Sequence, residues 1–207
     1  DKGLAGGYNA NVLKAADKLS ERIPELKLYV VGEYGRRYYA QQHIKIEDDF
    51  LFSAEDPTLH ISREICARIL KDFEADKLDR VYIIYTDMQN GVEVKTTRLI
   101  PFHRAAWPRP EEDPEKPSAS FEYMPSVAKI LDNLVLSYVT GFIYSALVDS
   151  YCAELTARME AMNAAGNNAD ELLAELKLNY QRARQAAITG EITEITAGAR
   201  HKRTEAK

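Results

Sequence analysis

Apolar residues in the last third of this chain recur at alternating steps of three and four. Val127, Leu131, Leu134 and Tyr138 form one run, and Val135, Val139, Phe142 and Ala146 form a second. Tyr151, Leu155, Met159 and Met162 follow, then Leu173, Leu176, Tyr180, Ala183 and Ala187. Such steps hold side chains on one stripe of a helix, and over repeated heptads they make a coiled-coil seam. The spacing predicts a helical arm over 126–199, on the order of 100 Å long if unbroken at about 1.5 Å per residue. Two core helices turning at Gly166-Asn167-Asn168 would give the same spacing. A pattern this much longer than about 25 residues points instead to a coiled coil or a repeat.

The first hundred residues alternate differently. A glycine-rich turn, Asp1 to Asn9, leads into a helix over 10–21, with Asn9 as its cap and Val12, Leu13, Ala16 and Leu19 on one face. Leu26 to Val31 reads as a buried strand, Glu33 to Gln42 as a short helix, and 44–52 as partly extended. A helix from Pro57 to about Ala75 carries Ile61, Ile65, Ile69 and Phe73 at four-residue steps. Two strands, 79–85 and 92–100, flank Asn90-Gly91, a hairpin signal because both residues tolerate positive φ. Alternation of this kind predicts an α/β fold with a partly parallel sheet and an antiparallel hairpin at its edge. Four prolines between Trp107 and Ser120 mark a linker. The predicted division is an α/β domain at 1–106, a linker with a following segment at 107–125, a long helix at 126–199 and a basic tail at 200–207.

Composition narrows the function classes. A net charge of −5 argues against wholesale nucleic-acid binding. The two cysteines, Cys66 and Cys152, are far apart on helical patterns and read as reduced thiols. No uninterrupted run of about 18 apolar residues is visible, so no membrane insertion is expected. The chain opens on Asp1 and not Met, which predicts that it is part of a longer polypeptide.

The candidate chemistry is sparse. The opening Gly-x-x-Gly-Gly invites a phosphate-loop reading, and Glu33 sits where a dinucleotide domain places its ribose-binding acid. The spacing fits neither Gly-x-Gly-x-x-Gly nor Gly-Lys-Ser/Thr. His43, His60, His103 and His201 have no ligand spacing, so no metal or cofactor is expected.

Two motifs carry a resemblance. The opening Asp1-Lys2-Gly3-Leu4-Ala5-Gly6-Gly7-Tyr8-Asn9 is one. The other pairs Ala157-Arg158-Met159-Glu160-Ala161-Met162 with Asn179-Tyr180-Gln181-Arg182-Ala183-Arg184-Gln185-Ala186-Ala187-Ile188-Thr189-Gly190-Glu191 on one helix. Over essentially its whole length the chain resembles the gamma subunit of the rotary F-type ATP synthase, the central stalk, without that family's N-terminal helix. The resemblance implies a Rossmann-like α/β domain beside an antiparallel coiled coil whose missing strand is that N-terminal helix. It implies a non-catalytic rotor that passes torque from a membrane ring, driven by protons or sodium ions, to a catalytic head.

By the same resemblance, Arg184 and Gln185 meet a catalytic subunit, and Ile188, Ile192 and Ile195 run in the apolar bearing formed by the head's alpha and beta subunits. Phe121, Glu122 and Tyr123 form part of the foot on the ring, and the α/β domain packs against an epsilon-type subunit and binds no nucleotide. The implied location is peripheral, on the cytoplasmic face of a bacterial inner membrane or the matrix face of a mitochondrial one. The resemblance also implies a helix continuous through Gly166-Asn167-Asn168. It sets apart Gly190, where the family usually has a long polar residue, and the tail after Ala199, which runs past the family's common end. A nucleotide-binding α/β enzyme with a helical oligomerisation arm is the alternative, and a coiled-coil adaptor without a motor role is a third reading.

Overall fold

The computed structural model describes residues 3–23, 25–88, 92–102, 124 and 126–205. The elements run α1 (Tyr8–Ser20), α2 (Glu33–Gln41), α3 (Leu59–Glu74), β1 (Val81–Asp87), β2 (Glu93–Ile100) and α4 (Val127–Glu205). The chain divides into two compact units, Asp1–Met159 and Glu160–Lys207.

In the first unit, β1 and β2 pair antiparallel from Asp87↔Glu93 to Tyr82↔Arg98, and the register then shifts so that Val81 faces Ile100. The shift leaves Leu99 as an extra residue on β2. A bulge breaks the two-residue alternation of a strand, which is why consecutive Leu99 and Ile100 can both be buried. The core joins them to Phe50, Ile65, Cys66 and Ile69, and to Val139 and Ile143 from α4. Ile61 and Phe73 pack on it from α3, partly buried, so the four-residue steps of that helix have the inward face expected of them. Thr58 caps α3, its hydroxyl accepting from the Ile61 N–H at 3.3 Å.

Several local expectations are corrected. Leu26–Val31 forms no extended ladder; its sheet pairing is one parallel bridge, Leu28↔Ile46. Side chains hold this segment instead: Tyr29 and Val31 pack on the core, and Lys27 and Tyr29 reach acids on neighbouring segments. Gly7, not Asn9, precedes α1, because a turn closed from the Tyr8 N–H to the Ala5 carbonyl starts the helix earlier. The apolar face of α1 is half-buried, and no α1 residue is fully enclosed.

An 18-residue window of α4 has a mean hydropathy of 1.4, which by length and composition suffices to cross a membrane. Counting uninterrupted apolar residues missed it, because the window averages over Ser, Thr and Gly. In the fold this part of the helix supplies Val139 and Ile143 to the core. Asn90-Gly91, the proline-rich 107–120 and Phe121, Glu122 and Tyr123 lie outside the described residues.

The second unit is helical from Glu160 to Glu205, and it continues as helix through Gly166-Asn167-Asn168. Nearly all of its residues described for burial are exposed. Its helix therefore persists without a core of its own.

Candidate functional site: the uncovered face of the C-terminal helix

Two stripes on α4 share one spacing and meet different fates. Val139, Ile143, Ala146 and Ala153 are 0–3 % exposed, and Val135 and Phe142 pack on the core beside them. This is the second of the two runs in the sequence. The first is uncovered: Val127, Leu131, Leu134 and Tyr138 are 36–55 % exposed, as are Leu155 and Met159 farther along at 44 and 59 %.

The second unit repeats the uncovered pattern by itself. Met162, Gly166, Ala169, Leu173, Leu176, Tyr180, Ala183 and Ala187 keep the four-and-three step, and all are exposed. Leu173 and Leu176 stand at 53 and 55 % and Tyr180 at 68 %. Fully burying one such side chain is worth about 1.5–3 kcal/mol, so a row of them in water is a costly surface unless another helix covers it.

Beyond Ala187 the apolar positions move around the helix. Ile188, Ile192 and Ile195 are 45, 58 and 73 % exposed. At ~100° per residue they fall within ~60° of one another, about a quarter turn from the stripe that ends at Ala187. A second row, unseen in the sequence, lies beside them. Thr189, Thr193 and Thr196 each donate a hydroxyl hydrogen to the carbonyl four residues earlier, at 2.7–2.8 Å. Those donors are spent on the helix itself, so this face presents methyl groups next to the isoleucines. Thr at steps of four and three was the available signal. Arg184 and Gln185 lie exposed just before the change, and the Gln185 carbonyl accepts the first of the threonine bonds.

The features that suggested nucleotide binding have other engagements. Gly6, at φ 54°, lies against α4: a Cβ there would stand 3.9 Å from the Ala157 carbonyl oxygen. The Glu33 carboxylate is held by Arg36 at 2.9 Å and Arg37 at 3.0 Å, which keeps it below the usual carboxylate range. Among the described residues no three His, Cys, Asp or Glu side chains are grouped to share a metal ion.

A charge cluster around the buried Asp72 braces the first unit. The Tyr29 hydroxyl donates to Asp72 at 2.6 Å, Lys77 and Lys27 approach Asp72 at 3.3 and 3.5 Å, and Lys27 and Arg68 bridge to Glu47 at 2.8 and 2.9 Å. It ties α3 to the segments around Leu28 and Ile46.

A family model described as ATP synthase matches residues 1–200. The ATP synthase gamma chain of Caldanaerobacter subterraneus subsp. tengcongensis is 39% identical over 207 residues, covering 96% of this chain and 70% of that protein. That of Ruminiclostridium cellulolyticum is 37% identical over 203 residues, covering 96% and 69%. Among solved structures, a cryo-EM structure of the Tetrahymena thermophila mitochondrial ATP synthase central stalk and c-ring aligns with a TM-score of 0.59 at 21% identity, over 80% of this chain and 72% of that one. That likeness establishes a shared fold.

Proposed function

This chain belongs to the ATP synthase gamma-chain family, and on that premise we propose how its surfaces are used. It is a non-catalytic subunit of the ATP synthase complex, the rotor of its central stalk. The observation that carries the reading is α4: 79 residues of helix with a core stripe on one side, and an apolar seam and tip left uncovered.

We assign the seam to a coiled-coil partner, the N-terminal helix of the gamma polypeptide. Covering Leu173, Leu176 and Tyr180 would give the helix the stiffness that transmitting torque requires. The tip fits a bearing in the head formed by alpha and beta subunits. Ile188, Ile192 and Ile195 offer apolar contact, and the threonine hydroxyls are already satisfied, so few polar bonds must break as the tip turns. Arg184 and Gln185 are assigned to a contact with a catalytic subunit, where a charge-assisted bond can form and break at each step. Phe121, Glu122 and Tyr123 are assigned to the foot on the membrane ring, and the α/β part to packing with an epsilon-type subunit. We assign the α/β part to 1–106, the linker and foot to 107–125, the long arm to 126–199 and a basic tail, helical as far as Glu205, to 200–207. The complex is membrane-bound, and we place this subunit peripherally, on the cytoplasmic face of a bacterial inner membrane or the matrix face of a mitochondrial one.

The test is an Arg184→Ala/Gln185→Ala variant in the assembled complex. Both side chains are exposed, so assembly and the fold should persist while ATP hydrolysis coupled to ion transport falls. Unchanged coupling would remove these two residues from the contact.

A further inference from the structure

We propose that Ser150 and Arg158 form a directional latch that keeps α4 from rolling about its own axis against the α/β unit. The inference rests on the rotor reading, because only a helix that carries torque needs such a restraint.

Most of the rest of the described interface of α4 is apolar, with Thr140 a buried polar member of it. Val139, Ile143, Ala146 and Ala153 are buried in it, and the Phe142 ring meets Tyr85 edge-on at 5.8 Å. Apolar burial is non-directional and by itself resists a small rotation only weakly. Hydrogen bonds are directional and weaken steeply as their angle closes. For a side chain about 5 Å from the helix axis, a roll of ~10° moves its end by nearly 1 Å, enough to strain such a bond.

Ser150, half-buried, is the polar member of the stripe 139, 143, 146, 150 and 153. Its Oγ accepts the backbone N–H of Thr86 at 3.2 Å. Thr86 lies on β1, whose strand partner is β2 on the other edge. The open edge of the hairpin is therefore tied to α4 at a buried residue, Thr86 being 1 % exposed. Tyr8, the first residue of α1, lies near the same point, and burial pushes its hydroxyl up. One turn on, Glu154 is 8 % exposed and pairs with Arg158. The Arg158 Nε–H donates to the carbonyl of Gly3 at 3.4 Å, and the Gly6 backbone lies beside Ala157.

The two attachment points, Ser150 and Arg158, are eight residues or ~12 Å apart along the axis. One holds the hairpin edge and the other the N-terminal turn. Both fall in the last turns of the first unit, which ends at Met159. A restraint placed there stops rotation of the helix from being lost against the α/β unit.

The experiment uses the whole complex reconstituted in vesicles, with Ser150→Ala as the main variant. It removes one oxygen and leaves the packing volume nearly intact. Arg158→Met, which keeps the aliphatic stem, is the second variant. Ile143→Val is the control, loosening apolar packing without touching a directional bond. ATP hydrolysis, ions transported per ATP and the torsional stiffness of the stalk are measured. The latch predicts that both latch variants hydrolyse ATP with a loss of ions transported per ATP and a loss of stiffness, while Ile143→Val keeps both. Wild-type stiffness and transport in the latch variants would overturn the proposal, as would an equal loss in Ile143→Val. A wild-type complex that hydrolyses ATP without any linked transport would overturn the rotor reading itself, and the latch with it.

Discussion

Replacing Asp72 by Asn tests the charge cluster that braces the first unit. Asp72 is 3 % exposed. The Tyr29 hydroxyl, then Lys77 and Lys27, hold its carboxyl down from an ordinary 3.8 to about 2. At about 1.36 kcal/mol per pKa unit this is at most about 2.5 kcal/mol. Solvent reaches the partners, since the side chains of Lys27 and Lys77 are 37 and 61 % exposed. That screening lowers the expected cost of Asp72→Asn to about 1–2 kcal/mol at pH 7. For a unit of this size the loss corresponds to a fall of roughly 3–6 °C in Tm.

The sign follows from the depressed pKa. The contribution is full above the unfolded value and disappears as pH falls through the folded one. The gap between wild type and variant should therefore close between about pH 4.5 and pH 2, with close to half gone at pH 3. Urea unfolding followed by tyrosine fluorescence at several pH values reads it directly. Equal stability at pH 7, or a gap that stays constant down to pH 2.5, would refute the assignment of the cluster as a brace.

Ile143→Ala, in the buried stripe, should destabilise the first unit by about 2–5 kcal/mol, while Leu173→Ala on the exposed stripe should change the stability of the isolated chain by less than about 0.5 kcal/mol; paired denaturation curves compare them. Gly166 faces open space, with nothing within 4 Å of an added Cβ. Gly166→Ala should thus raise helix stability by about 1 kcal/mol, seen as a higher-melting far-ultraviolet dichroism signal. Cys152 is exposed and Cys66 fully buried, and burial pushes the Cys66 thiol up. A maleimide should therefore label Cys152 in the folded chain and reach Cys66 only on unfolding, which peptide mass mapping would check.

The two stripes of α4 show what the sequence could say and where it stopped. Steps of three and four named both runs and predicted a long helix. They could not say that Val139 and Ala146 are buried while Leu134 and Tyr138 are not, because both runs have the same spacing and only the position of the hairpin separates them. Leu26–Val31 looked like a strand because its residues favour one, yet Lys27 and Tyr29 are committed to acids on other segments and a single bridge remains. The latch was invisible for a related reason. Ser150 reads as an interruption of an apolar stripe until the open edge of β1 supplies the N–H it accepts. The isoleucines of the tip were legible through the family resemblance; the threonine row beside them follows from hydroxyls that bond back to their own helix.

Rotation of this chain relative to the head tests the central claim most directly. With the complex immobilised through its catalytic head and a probe fixed to the α/β part of this chain, addition of ATP should produce continuous rotation in one direction that ceases when ATP is removed. A probe that holds a fixed angle while the same complexes hydrolyse ATP would contradict the account.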